Sequence, residues 1–231
     1  MLIFKLLIFA CNIFCMKIIT YLSLITVFGL SVYSPKSIHI RESEKAIVQD
    51  TVKEWIEVDF ETQGIQNKMA YADTANFMHQ KIYPCARCFL RPEVADALED
   101  ANQIAKDKGY TLVVYDCYRP YGYQKVMYDI VNDPRYVAPP GKGSNHNRGR
   151  AIDLSLADEN GNLLDMGTAF DDFTAKSHYD AEGLSREARR NRKTLRNIMK
   201  RAGFTPYNSE WWHFDYKKHN YETADFRWDC K

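Results

Sequence analysis

"SNHNRGRAIDLSL", residues 144–156, changes character half-way along its length. Ser144, Asn145 and Gly149 mark the first half as turn chemistry, because Asn and Gly tolerate backbone conformations that interrupt regular structure. From Ala151 to Leu156 small or polar residues alternate with apolar ones, the period of a half-buried strand. Ala151, Asp153 and Ser155 then share one face, and Ile152, Leu154 and Leu156 the other. An acid on the inward face of a strand needs a partner. His146, set in the loop that feeds the strand, is close enough along the chain to be part of the answer.

The neighbouring segments give the fold class. "RPEVADALEDANQIAKDKG" (91–109) reads as a helix, with Pro92 in its first turn, Gly109 as its stop and Val94, Leu98, Ala101 and Ala105 as its apolar stripe. "YTLVVYDCY" (110–118) is a β-branched and aromatic strand ended by Arg119-Pro120, and "GYQKVMYDIV" (122–131) a second helix. The loop "DPRYVAPPGKG" returns to the opening stretch. Asn160-Gly161 predicts a hairpin turn into "NLLDMG". A third helix starts at Ser185, its N-cap, and runs to about Ala202, with Gly203 beyond it. Its eight basic residues are read as a solvated face behind Leu195, Ile198 and Ala202, not as a nucleic-acid surface. The chain returns through the aromatic run "FTPYNSEWWHFDY" (204–216). Helices and strands mix without a βαβ rhythm, so the class is α+β: one domain with a mainly antiparallel sheet flanked by helices.

Length and composition narrow the partners. The chain has 231 residues, with Lys+Arg 31 against Asp+Glu 30. That balance gives no reason to expect nucleic acid or an acidic lipid surface. Residues 1–34 are almost wholly apolar and read as a targeting segment ahead of a domain at 35–231, whose first residues to about 60 form an extended lead-in. The preferred reading starts at Met16, so that "MKIITYLSLITVFGLS" is a signal peptide cleaved near Ser31. An uncleaved membrane anchor, or a lipid on Cys11 or Cys15, are the alternatives. Each exports the domain, and the periplasm is the expected location. The remaining cysteines, Cys85, Cys88, Cys117 and Cys230, then predict two disulfides in one of three pairings. No second CxxC follows "CARC" and no βαβ pattern surrounds it, against a zinc ribbon or a thioredoxin-like role.

"SEWWHFDY" (209–216) supplies the partner for Asp153. His146, Asp153 and His213 make a plausible three-ligand set for catalytic zinc with a fourth position left for water. Glu210, beside that water but off the metal, has the chemistry of a general base. Three steps along a regular strand place Glu210 and His213 on opposite faces, so both reach one centre only if Glu210 lies in the turn before the strand, for which "NSE" is suited, or at a bulge. His39, His79, His178 and His219 have no such company and are read as structural.

With these residues in hand, "SNHNRGRAIDLSL" and "EWWHFDY" resemble the signature segments of the D-alanyl-D-alanine dipeptidases of the vancomycin-resistance type, in a zinc peptidase family that also contains D,D-carboxypeptidases. "YADTANF", "YDCYRP", "MGTAFDDF" and the arginine-rich helix fall in the family's order across about residues 69 to 216. The resemblance implies one zinc per chain on His146, Asp153 and His213, with the site on the sheet. It implies Glu210 as catalytic base and Arg119 as stabiliser of the transition state. Tyr71, Ser144 and Asp171 match positions that hold the dipeptide, particularly its ammonium end, with Asp172 the one-residue alternative to Asp171. The implied activity is hydrolysis of D-Ala-D-Ala in cell-wall peptide metabolism. A D,D-carboxypeptidase and a non-catalytic zinc-containing wall-binding module are the alternatives. Ala75 stands where the family pattern usually has aspartate, and the export signal and cysteines depart from the cytoplasmic enzymes.

Overall fold

The strand Ala151–Ala157 is the middle of the molecule, and all of its residues are buried. The computed structural model describes residues 54–230; the apolar start with Cys11, Cys15 and Met16, His39 and the lead-in to residue 53 lie outside the described residues. The alternation in "AIDLSL" predicts a half-buried strand, and here the structure differs. Ile152, Leu154 and Leu156 face the apolar core, while Asp153 on the opposite face lines a cleft, so the alternation separates core from site, not core from water.

Numbered in chain order, the strands are β1 (Ile56–Glu57), β2 (Gln66–Asn67), β3 (Phe89–Leu90), β4 (Thr111–Asp116), β5 (Ala151–Ala157), β6 (Thr205–Pro206) and β7 (His213–Asp215). Five form one sheet in the order β2-β4-β5-β7-β6, and β1 pairs with β3 in a second. Every pairing is antiparallel except β2 with β4. Among the described residues the α-helices are α1 (Phe60–Gln63), α2 (Pro92–Lys106), α3 (Tyr121–Val131) and α4 (Arg186–Arg201). An α+β fold of mixed but mostly antiparallel strands is therefore what the chain adopts. Among the described residues no helix is long and apolar enough to cross a membrane.

Helix α2 follows its pattern closely. Pro92 occupies its first turn, and Val94, Leu98, Ala101 and Ala105 are all buried. Helix α4 is capped by the Ser185 hydroxyl, which accepts from the Ala188 amide at 2.9 Å, and it buries Leu195, Ile198 and Met199. The two helices pack on each other, α2 against β4 and α4 against β5. One part of the reading of α4 is corrected. Its basic residues are not all solvated, because Arg192 is only 1% exposed and gives its guanidinium N–H groups to backbone carbonyls. The turn at Asn160-Gly161 forms, but the strand after it is reduced to one bridge, Ala157 to Leu163.

The structure pairs Cys85 with Cys230 and Cys88 with Cys117. The first holds a C-terminal strap without regular structure. Trp228 of the strap is buried against Tyr83 and Phe89, and the Ala224 amide donates to the Asn147 carbonyl at 2.9 Å. The strap thus reaches the loop that carries His146. The bridges span sequence separations of 145 and 29 residues. In the chain-entropy model such closures are worth at most roughly 5 and roughly 4 kcal/mol. Mass spectrometry of the unreduced, denatured protein should find no alkylated cysteine among residues 85, 88, 117 and 230, and reduction should lower the unfolding temperature. Two or more alkylated thiols would reject this pairing.

Candidate active site

Register decides which side chains meet. Asp153 lies opposite His213 across the β5–β7 ladder and opposite Asp116 across the irregular end of the β4–β5 ladder. Directly opposed side chains on one sheet face are contact neighbours. His146 arrives from the other direction, on a single 3-10 turn that ends at Gly149. Gly149 has φ +67°, and a Cβ on it would lie 2.3 Å from the Trp55 ring. Both the left-handed backbone and the close approach require glycine there. Glu210 lies in the turn before β7, its amide bonded to the Tyr207 carbonyl and its carbonyl to the His213 amide, both at 3.4 Å. That turn, one of the two arrangements the spacing allowed, brings Glu210 and His213 to one centre.

The three ligand-type residues converge. His146 Nε2 is 3.1 Å from His213 Nδ1, His213 Nδ1 is 2.9 Å from Asp153 Oδ1, and His146 Nε2 is 3.3 Å from Asp153 Oδ2. The opposite ring nitrogens assign the protons. His146 Nδ1 lies 2.7 Å from the Cys117 carbonyl, which can only accept, so that nitrogen carries the hydrogen. His213 Nε2 lies 2.9 Å from Asp215 Oδ1. Burial raises the Asp215 carboxyl, but the bond and charge of His213, with Asn145 and Lys217, together outweigh it and the pKa is lowered, so Asp215 is an ionised acceptor. Two imidazole lone pairs and a carboxylate are therefore turned towards one point, an arrangement that calls for a cation.

Burial lowers the His213 pKa, but Asp153 and Asp215 outweigh it and raise it well above the ordinary histidine value. Burial raises Asp153, but His146 and His213 outweigh it and hold its pKa below the ordinary carboxylate range.

Around this centre stand the other residues singled out in the sequence. Glu210 comes within 3.9 Å of His213, and burial raises its carboxyl pKa. Arg119 is buried; its Nε and Nη2 donate to Asp116 Oδ2 at 3.1 and 2.5 Å, and Nη1 to Gln124 Oε1 at 2.9 Å. Burial lowers the Arg119 pKa, but the Asp116 carboxylate outweighs it and the guanidinium stays charged. Tyr71 Oη donates to Asp171 Oδ2 at 3.0 Å. Burial, and then the Asp153 charge, push the Asp171 pKa well above the ordinary value. Asp172 instead caps the Thr174 amide at 3.0 Å, so Asp171 is the acid that faces Tyr71. Ser144 lies beside His146 and accepts weakly from the Asn147 amide at 3.4 Å.

A cleft of about 740 Å³ is lined by all eight: Tyr71, Arg119, Ser144, His146, Asp153, Asp171, Glu210 and His213. His79, His178 and His219 do not line it. Two supporting residues were missed. Asp215 sits two steps beyond His213, on the same strand face, a signal visible in "HFD". Asp116, fully buried, orients Arg119 from three positions upstream, a spacing that carries no such signal outside a helix.

Comparison with known proteins gives the family. The family model described as D-Ala-D-Ala dipeptidase (peptidase family M15) matches residues 52–229. A D-alanyl-D-alanine dipeptidase of Escherichia coli K12 is 42% identical over 151 residues, covering 65% of this chain and 78% of that one. One from Enterococcus faecium is 31% identical over 192 residues, covering 73% and 94%. Among solved structures, the vancomycin-resistance D,D-dipeptidase VanXYg with a D-Ala-D-Ala phosphinate analogue matches at TM-score 0.36 and 21% identity, over 71% of this chain and 67% of that one. With its described residues inside that matched span but for Cys230, the chain belongs to the D-Ala-D-Ala dipeptidase family of metallopeptidases.

Proposed function

We infer that this chain is a zinc dipeptidase that hydrolyses D-Ala-D-Ala to two D-alanines. The observation that carries the reading is the single cleft lined by all eight residues. The donor set fits zinc: two imidazole nitrogens and a carboxylate, with each imidazole oriented by an acceptor behind it. His146, Asp153 and His213 would hold the ion, and zinc bound there supplies Lewis acidity towards water and the scissile carbonyl.

The chain's own residues do the rest. Glu210, with a carboxyl raised towards the working pH by burial, takes the proton of the attacking water and returns it to the leaving amine. Arg119 has three of its five N–H groups engaged by Asp116 and Gln124. The others are available to the negative charge that develops on the carbonyl oxygen, where a fixed cation in a dry site acts most strongly. Asp171 receives the substrate ammonium with Tyr71 beside it, and Ser144 offers its hydroxyl to the dipeptide. Burial, Asp153 and Glu210 all disfavour the charge on Asp171, so an ammonium is the counter-charge that this end of the cleft lacks. Two disulfides support a domain that works in an oxidising compartment outside the cytoplasm, in keeping with the apolar segment at 1–34 as export signal or anchor.

Three measurements check this. Zinc should titrate to one per chain, and its affinity should fall as the pH falls, because His213 holds a proton more tightly than ordinary histidine when no metal is bound. His146→Ala or Asp153→Ala should reduce both zinc content and rate; full activity after verified zinc removal would end the metal reading. Glu210→Ala should retain zinc while kcat drops by about 10²–10⁴; loss of zinc from that variant would make Glu210 a ligand. N-acetyl-D-Ala-D-Ala should be used at least about a hundredfold less well than D-Ala-D-Ala in kcat/KM, the scale expected when a substrate lacks the polar group that a buried site is built to bind. Comparable values for the two would favour the D,D-carboxypeptidase.

A further inference from the structure

Arg192 is only 1% exposed, and its guanidinium is spread over three backbone carbonyls. Nε donates to Met166 O at 2.6 Å, Nη1 to His178 O at 2.7 Å and Nη2 to Lys176 O at 3.0 Å. Met166 begins one segment of chain, and Lys176 and His178 end it. Asp171 lies between them. One side chain of α4 therefore fastens both ends of the segment that presents Asp171 to the cleft.

Neighbouring contacts reinforce the closure. Asn191 Nδ2 donates to Asp165 O at 2.8 Å. Trp211 Nε1 donates to Thr168 Oγ1 at 2.8 Å, and that hydroxyl shares a hydrogen bond with Ser177 Oγ at 2.9 Å. Gly167, at φ +80°, passes so near the start of α4 that a Cβ would lie 2.6 Å from Cδ2 of Leu184, just ahead of the helix, and 3.2 Å from Cβ of Ala188 within it. Within the fastened segment Phe170 stacks on Tyr115 with centroids 4.6 Å apart, and Phe173 meets Phe77 at 5.0 Å. Asp171, between these rings, has φ +59°. A non-glycine residue keeps that left-handed conformation only where its surroundings over-determine it.

We propose that Arg192 is a positioning residue for the amino terminus of the substrate: by closing segment 166–178 it holds Asp171 where an ammonium binds, and so sets the preference for free dipeptides over N-blocked peptides. The proposal rests on the reading of Asp171 as the ammonium acceptor. A planar fork with donors on three nitrogens can join carbonyls at both ends of the segment, whereas a lysine ammonium is a single point on a flexible stem. Losing the clasp frees Asp171 without touching the metal ligands. Binding of the ammonium should then weaken before the chemical step does. A role in fold stability alone makes a different prediction, since a smaller active fraction reduces turnover of every substrate by the same factor.

The test uses the full zinc-loaded chain with Arg192→Lys, Thr168→Val and Asp171→Asn, measuring zinc content and kcat and KM for D-Ala-D-Ala and N-acetyl-D-Ala-D-Ala. Arg192→Lys should keep one zinc per chain and kcat for D-Ala-D-Ala within about threefold, while KM rises about tenfold or more. The kcat/KM ratio of the free over the acetylated dipeptide should fall by about the same factor, and amide exchange across residues 166–178 should quicken. Thr168→Val, which removes only the hydroxyl between Trp211 and Ser177, should shift the ratio in the same direction by less. An unchanged ratio in Arg192→Lys, with Asp171→Asn collapsing it, overturns the proposal and leaves the Asp171 reading standing. An unchanged ratio in Asp171→Asn overturns both. Should Arg192→Lys fail to fold, Thr168→Val decides by the same ratio: a fall supports the clasp, and no change rejects it.

Discussion

The structure depends on an excess of buried negative charge. Asp116, Asp153 and Asp215 are buried, Asp171 and Glu210 stand beside them, and one buried guanidinium, Arg119, serves the group and is committed to Asp116. Isolated buried carboxylates are expensive, because water solvates an anion far better than a protein interior does. The protein meets part of the deficit with hydrogen bonds and the histidines. The remainder shows in the direction of the pKa shifts: the carboxylates beside His213 raise its pKa, and burial is the chief cause that raises those of Asp171 and Glu210. On the proposed reading two cations answer that imbalance, a metal ion between the histidines and an ammonium near Asp171, and the affinity for both has the same origin.

Holding that imbalance in place takes rigid backbone from several directions. The middle of the cleft is ladder: Asp153 and His213 are fixed by sheet register, where a one-residue slip would send each side chain to the other face. His146 comes from a loop and is secured differently. Its Nδ1 is bound by the Cys117 carbonyl, and Cys117 is bridged to Cys88. The Arg119 amide donates to the His146 carbonyl, and the Asn147 side chain to the Arg119 carbonyl. The strap closed by Cys85–Cys230 adds its bond from Ala224 to Asn147. The disulfides accordingly sit behind the site, on the backbone that orients a histidine.

What was legible in the sequence follows from range. Features set by neighbours along the chain could be read: the alternation of "AIDLSL", the Ser185 cap and Pro92 start of the helices, and the need for a turn or a bulge to bring Glu210 round to His213. The eight site residues were named before any geometry, chiefly because the motifs fall in the order of a known family. Features set across the fold could not be read. Asp116 looks like a strand residue until β4 meets β5 and Arg119 folds back on it. Arg192 sits among other basic residues of α4 and differs from them only in facing the segment 166–178. The second face of β5 is covered by a cleft, so a pattern that reads as half-exposed belongs to a fully buried strand. The cysteine pairing depends on where the C-terminal strap lands, which no local spacing encodes.

The charge imbalance also bears on selectivity. On the proposed reading, a free dipeptide and a longer peptide present the same scissile amide and the same terminal carboxylate to the metal, Glu210 and Arg119. They differ in one charge, the ammonium that faces Asp171. In water that difference would be slight, since exposed ion pairs contribute about 0–1 kcal/mol. Here Asp171 is disfavoured as an anion by burial and by the charges of Asp153 and Glu210. An incoming ammonium relieves a strain that the fold already carries, whereas an amide leaves it in place and adds bulk beside it. Discrimination then requires no dedicated wall against longer peptides. It requires that Asp171 stay where it cannot escape to water, and the clasp on its segment is what denies it that route.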